Sequence, residues 1–240
     1  MKIFLPVFII SFSFSPAIFS CNSGSVLNNQ LTDKEKSEGW ELLFDGVTSD
    51  GWHVYNGSKT TTAWLVKNGE LYCSPEDTAA PADLLTDKEF ENFDLHFDWK
   101  ISKGGNSGVF INVVEKPEYP RAWTTGPEYQ LLDSAHHDFD QLKKRSGCLY
   151  GFAPQKNPAA QASAGQWNKG RILQQNGKIE FYVNDVLTAI EDFKSQAWTD
   201  SVANSGFKNF PQYSKSTKGH IALQDWLNGV SFRNIKIKNL

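Results

Sequence analysis

From Phe93 to Ile101 apolar and polar residues alternate without a break: Phe93, Leu95, Phe97, Trp99 and Ile101 share one side, Asp94, His96, Asp98 and Lys100 the other. A period of two marks a β-strand with one face on a core and one in water. Residues 40–46 predict a short first strand ending in a turn. Residues 64–73 and 170–183 each predict two strand pieces around Asn68-Gly69 and Asn176-Gly177, dipeptides that favour tight hairpin turns. Asn184-Asp185 turns the chain into a further strand over 186–190, and 220–226 and 230–238 supply two more. Helix is predicted over 32–38, with one more helical turn near 84–90. Two long irregular stretches, 152–166 and 192–219, are where a lid or pocket wall is expected, since loops of this length are usually functional or disordered. There is no internal repeat. Many short strands joined by turn residues predict an all-β domain of two packed antiparallel sheets.

The first twenty residues stand apart. One early positive charge, Lys2, precedes an apolar stretch that ends in Ile18-Phe19-Ser20-Cys21, the pattern of an export signal. The ending resembles a bacterial lipobox, which makes Cys21 the expected lipidated residue. An ordinary signal peptide with a chance cysteine is the plainer reading, but the polar run after Cys21 suits a tether. The division expected is therefore a signal peptide over 1–20, a polar tether over 21–37 and a folded domain over 38–240, held at the periplasmic or cell surface. Without the signal the net charge goes from −3 to −4, and no basic patch of the kind nucleic-acid binding requires is present. Cys73 and Cys148 could pair in an oxidising compartment or remain two buried thiols; neither sits in a zinc-type spacing. Eight Trp, seven Tyr and seventeen Phe fit strands and sugar-binding surfaces equally well.

The stretch Gly104-Gly-Asn-Ser-Gly108 enters a strand through residues that weaken it, which marks a bulge or a close approach by a ligand or backbone. In Glu128-Tyr-Gln-Leu-Leu-Asp133, Glu128 and Gln130 share one side of a strand, and Asp133 ends it. A solvent-facing polar side explains this pattern as well as a binding groove does.

Taken in order, GWELLFDG, Trp64-Leu-Val-Lys-Asn-Gly-Glu-Leu, Phe93-Asp-Leu-His-Phe-Asp-Trp-Lys, Gly105-Asn-Ser-Gly-Val-Phe, Glu128 to Asp133, Gly165-Gln-Trp-Asn168 with Arg171, Gly219 to Asp225 and the strand from Val230 resemble the bacterial 3-keto-disaccharide hydrolase family over roughly residues 38–240. The resemblance implies a concanavalin-type or laminin-G-like jelly roll with a sugar site on its concave face. It also implies cleavage of glycosides already oxidised to a ketone at C3, beside a sugar 3-dehydrogenase that makes the ketone. Where family members often carry an arginine, this chain has Asn112, which is consistent with a different substrate or with a sugar group contacted differently.

A C3 ketone acidifies the proton on C2. A base removes it, an enolate forms, and the C1 oxygen leaves by elimination; water can then add. This needs a base, an acid and a group that holds the enolate, but no cofactor. Glu128, Asp133, His136 and Arg171 are the candidates for those roles. Asn106, Ser107, Gln130, Tyr150, Trp167, Gln224 and Asp225 are the candidates for substrate contact, with Lys103 a weaker one. His136 and His137 leave a divalent metal as a minority option, since adjacent histidines in a strand face opposite ways. Solvation of the histidine loop, an ion pair between Arg171 and an acid such as Glu128, and packing of Trp167 and Tyr150 are the plainer explanations. A non-catalytic carbohydrate-binding module and an envelope interaction module remain the alternatives to an enzyme.

Overall fold

The period-two run at 93–101 becomes the longest fully alternating strand of the domain, and its apolar side faces a second sheet. A computed structural model of the chain describes Met1 and residues 27–57, 63–75, 82–226 and 229–240. The expected signal peptide and lipidated Cys21 lie outside these residues. The elements are α1 (Asp33–Ser37), β1 (Trp40–Leu42), β2 (Trp52–Val54), β3 (Trp64–Lys67), β4 (Glu70–Cys73), β5 (Leu84–Phe90), β6 (Phe93–Ile101), β7 (Asn106–Val113), β8 (Glu128–Leu132), β9 (Asn168–Gln175), β10 (Lys178–Val183), β11 (Val186–Asp192), α2 (Gln196–Ala203), β12 (Gly219–Leu223) and β13 (Val230–Asn239). One antiparallel sheet runs β11-β10-β9-β6-β13-β4-β3, with β1 also pairing β13; the other runs β2-β5-β12-β7-β8. The fold is the expected two-sheet jelly-roll sandwich.

Both Asn-Gly hairpins form with positive φ at each residue, the geometry of the tight turn those dipeptides favour. Between the sheets, Phe93, Leu95, Phe97, Trp99 and Ile101 from β6 meet Val109, Ile111, Tyr129 and Leu131 from β7 and β8. Tyr129 is wholly buried, yet its hydroxyl donates to Tyr182 O at 2.8 Å, which ties β8 to the opposite sheet.

Three expectations change. Residues 84–90 form strand β5, not a helical turn: Leu84 enters the main core and Leu85 a second cluster on the other face, so both are buried and no alternation shows. The end of the expected tether is docked on the domain. Asn29 and Asn234 exchange hydrogen bonds of 2.6 and 2.8 Å, and α1 begins with a capping box between Thr32 and Glu35. Asn112 lies between the sheets and not on an open face. It is buried with φ of 58° in β7, and its amide exchanges hydrogen bonds of 2.7 and 3.0 Å with Gln174 across the sheets. Cys73 and Cys148 are both buried and do not pair with each other.

Candidate functional site

The outer face of the five-stranded sheet, turned away from the core, holds the candidate site. Register aligns its side chains in two rows. Leu85, Ala222, Phe110 and Glu128 form one, and Gln224 backs onto Gly108, which pairs with Gln130, in the next. Gly108 explains the weak strand entry: a Cβ there would lie 2.7 Å from Glu128 Cγ and 2.8 Å from Cδ. The missing side chain is the room that the Glu128 carboxyl occupies. Gly104, with φ of 69°, supplies the turn before β7.

A cavity of about 220 Å³ opens over this floor. Glu128, Gln130, Gln224 and Asn106 form its polar base, and Trp123, Tyr150, Phe207 and Trp226 its aromatic walls. Gln130 Nε2 donates to Asn106 Oδ1 at 2.8 Å. Among the described residues, the Oε1 atoms of Gln130 and Gln224 at this base and the Tyr213 hydroxyl in the core are buried without a partner. Buried polar atoms are nearly always hydrogen-bonded, so the unpaired Gln130 and Gln224 acceptors are open to a donor, whether water or a ligand hydroxyl.

Burial dominates the electrostatics. Among the described residues no hydrogen bond or ion pair reaches the Glu128 carboxyl; burial first, then the negative charge of Asp83, raises its proton affinity well above the usual carboxylate range. Burial pushes Asp83 up to about 7, against the hydrogen bond from Asp225 N and with the help of the Asp225 charge. Tyr213 and Tyr150 are held above the ordinary phenol value by burial and then by Glu128, while the Lys144 ammonium works the other way on Tyr150. Near neutral pH both phenols are proton donors beside a carboxyl group that binds its own proton tightly.

The structure thus brings together Glu128, Asn106, Gln130, Tyr150 and Gln224. It places the other candidates elsewhere. Asp133 is a turn residue: its Oδ1 accepts from Gly104 N at 2.7 Å and Ala135 N at 3.0 Å. Ser107 is fully buried and donates to Gln224 O at 2.9 Å. Asp225 is buried, and its Oδ2 accepts from Ala82 N at 3.1 Å, so it anchors the strand end next to Asp83. Arg171 lies on the other sheet, where its guanidinium grips Asp94 at 2.8 and 2.9 Å and not Glu128. Burial opposes charge on Asp94, but the hydrogen bonds from His96 and Arg171 prevail and hold it at about 2. Trp167 belongs to that sheet's outer face, under Arg233 at 4.0 Å and Lys100 at 4.6 Å. Lys103 is exposed.

His136 and His137 sit in the turn after β8 and stack at 4.1 Å, so they do not face opposite ways. With Asp138 they bring three possible ligand atoms within 4.8 Å of one another. Asp138 Oδ2 already holds the Lys144 ammonium at 2.9 Å, and His136 Nδ1 accepts from Asp138 N at 3.0 Å.

A family profile described as a 3-keto-alpha-glucoside-1,2-lyase-like domain matches residues 39–238. The chain belongs to that family. It is 33% identical over 184 residues to the 3-keto-disaccharide hydrolase of Bacteroides thetaiotaomicron, a match covering 66% of this chain and 62% of that protein. The chain therefore spans less than two thirds of that relative. A crystallised Parabacteroides distasonis protein, provisionally named a glycosyl hydrolase, superposes with a TM-score of 0.81 at 32% identity, over 89% of this chain and 100% of that one. A Bacillus subtilis protein with a galectin-like fold shares the architecture alone, with a TM-score of 0.52 at 12% identity, over 89% of this chain and 95% of that one.

In this member of the 3-keto-alpha-glucoside-1,2-lyase-like family, four residues at or behind the site carry no local sequence signal, Asp83, Trp123, Phe207 and Tyr213, whereas alternation over 220–226 already puts Trp226 on the side of Gln224. Phe207 and Tyr213 do fall in the long stretch 192–219 expected to supply a lid or wall. There they stack at 4.1 Å and, with Phe152 and Trp198, form an aromatic cap.

Proposed function

We propose that the cavity binds the oxidised ring of a 3-keto-glycoside and that Glu128 carries the proton in its cleavage. The observation that supports this most is one ionisable carboxyl group, buried and without a partner among the described residues, beside unpaired amide acceptors and the Tyr150 phenol. The ionised form of Glu128 takes the C2 proton, a task its raised proton affinity favours. The electron pair moves onto the ketone oxygen, where the hydroxyl of Tyr150, a wall of the cavity, serves as donor to the enolate. The enolate collapses, the C1–O bond breaks, and the departing oxygen takes a proton, with protonated Glu128 its nearest source. Addition of water to the resulting double bond gives net hydrolysis. Gln130 and Gln224 accept from ring hydroxyls, and the aromatic walls cover the apolar edges of the sugar. No pair of opposed carboxylates is needed, unlike ordinary glycoside hydrolysis.

The relatives' names support the same substrate class, a carbohydrate cut at a glycosidic bond. Anchoring through Cys21 at the envelope, beside a dehydrogenase that supplies the ketone, completes the proposal. The test compares a 3-keto-glucoside with its parent glucoside and measures aglycone release. Release from the ketone alone, lost in Glu128→Gln, is expected. Equal release from both means ordinary glycosidase chemistry, and binding without release means a lectin-like module.

A further inference from the structure

A jelly roll offers a concave face that crosses all the strands of one sheet, wide enough for a sugar chain to lie along it. Here one cross-strand row runs His53, Leu85, Ala222, Phe110, Glu128. At about 4.8 Å per strand that row is roughly 19 Å long, room for several sugar rings. Most of it is covered. Tyr55 and Ala122 pack on Leu85, Phe110 and Ala222 in a cluster separate from the main core, and Trp123 packs against that cluster. Ala122 and Trp123 belong to the segment 114–126, which leaves the end of β7, crosses the face and returns to β8.

This segment is fixed at its base and along its length. Thr125 Oγ1 accepts from Val114 N at 3.1 Å, and Thr125 O accepts from Ser214 N at 2.8 Å. The Tyr55 hydroxyl donates to Tyr119 O at 2.9 Å, and Asn56 Nδ2 to Lys116 O and Tyr119 O at 3.0 Å. Glu115 takes Asn56 N on one oxygen at 2.7 Å and His53 Nε2 on the other at 2.9 Å. The far end of the row is thus occupied by the clasp that holds the segment down. At the near end the Trp123 ring meets Phe210 of the long 192–219 stretch edge-on, with centroids 4.8 Å apart. Trp123 is also a wall of the Glu128 cavity.

From this arrangement we infer that segment 114–126 is a plug that turns an open cleft into a closed-ended pocket, so the site takes the terminal ring of a glycoside and rejects a ring flanked by sugars on both sides. The cavity that remains beside the segment is small, about 220 Å³. Trp226 at the mouth is 50% exposed, and it is the surface left for the leaving group. The inference rests on the reading that the site takes a carbohydrate, and names the architecture of that carbohydrate.

Two measurements test it, and their outcomes separate it from the parent reading. The first titrates the full domain with methyl glucoside and linear glucose oligomers of increasing length, followed by tryptophan fluorescence. Affinity is expected to level off after the second ring, to within about twofold. A further tenfold gain with each added ring would overturn the plug while leaving a carbohydrate site in place. Failure to bind any of these sugars and to cleave any 3-keto-glycoside overturns both. The second measurement compares trisaccharides oxidised at C3 of the terminal or of the middle ring. Release is expected from the first only. Trp123→Ala, or Phe210→Ala should the former lose its cooperative melt, is expected to raise release from the middle-ring ketone at least tenfold. Equal release from both ketones by the unmodified protein contradicts the inference, as does rejection of the middle-ring ketone by both folded variants.

Discussion

Asp83 is the perturbation that best separates electrostatics from packing at this site. Its carboxyl group is buried and titrates near 7, against 3.8 for the free side chain. A group whose folded value lies above its unfolded value stabilises most at low pH, and that contribution is lost as pH rises from the unfolded toward the folded value. At about 1.4 kcal/mol per unit, the shift amounts to about 4 kcal/mol of stability lost between about pH 4 and about pH 8. Asp83→Asn cannot titrate, yet its Oδ1 can still accept from Asp225 N, which Asp83 holds at 3.1 Å. Urea unfolding of both proteins across this range reads the effect, to which the accompanying fall in the proton affinity of Glu128 adds in the same direction. The variant is expected to match the unmodified protein near pH 4 and to exceed it by about 4 kcal/mol near pH 8. Removing the Asp83 charge also lowers the proton affinity of Glu128, so the rise of kcat/KM with pH should move to lower pH. Parallel stability profiles, or an unmoved pH–rate profile, would refute the electrostatic account.

The remaining predictions concern geometry. Gly108→Ala puts a methyl group where the Glu128 carboxyl lies; kcat/KM should fall at least about tenfold, with an overpacking cost of about 1–3 kcal/mol read from a denaturant melt. Asp133→Asn and His136→Ala should keep turnover within about twofold, because neither side chain lines the cavity; Asp133→Ala should cost about 1–3 kcal/mol through the unpaired amides of Gly104 and Ala135. Arg171→Gln should leave turnover unchanged. It should weaken the protein most where Asp94 is ionised, with the difference fading as pH falls through about 2, which acid titration of the melting temperature would reveal.

Local pattern exposed the strands because alternation and turn chemistry are local. The run at 93–101, the two Asn-Gly turns and the Thr32 capping box could each be read from fewer than a dozen residues. β5 could not, because Leu84 and Leu85 are buried on opposite faces and only the fold supplies the second one. The site divided along the same line. Glu128 and Gln130 were legible as a polar pair on one strand face, and Gln224 as the polar partner of a core-facing strand. Asp83 was not, since its proximity to Glu128 arises from strand order, across β12 and β7. Arg171 and Asp133 misled for a physical reason: a guanidinium and a carboxylate serve an ion pair or a turn as readily as a reaction. Gly108 was legible as an anomaly, but what it makes room for, a side chain of the next strand, required the register.

The central claim is that Glu128 exchanges a proton with C2 of a bound 3-keto sugar. Proton exchange can be followed without bond cleavage by NMR in heavy water, using a 3-keto sugar that lacks a leaving group at C1. The account predicts incorporation of deuterium at C2 well above the rate without protein, and a fall of roughly a hundredfold or more in Glu128→Gln. Exchange by Glu128→Gln as fast as by the unmodified protein would contradict it.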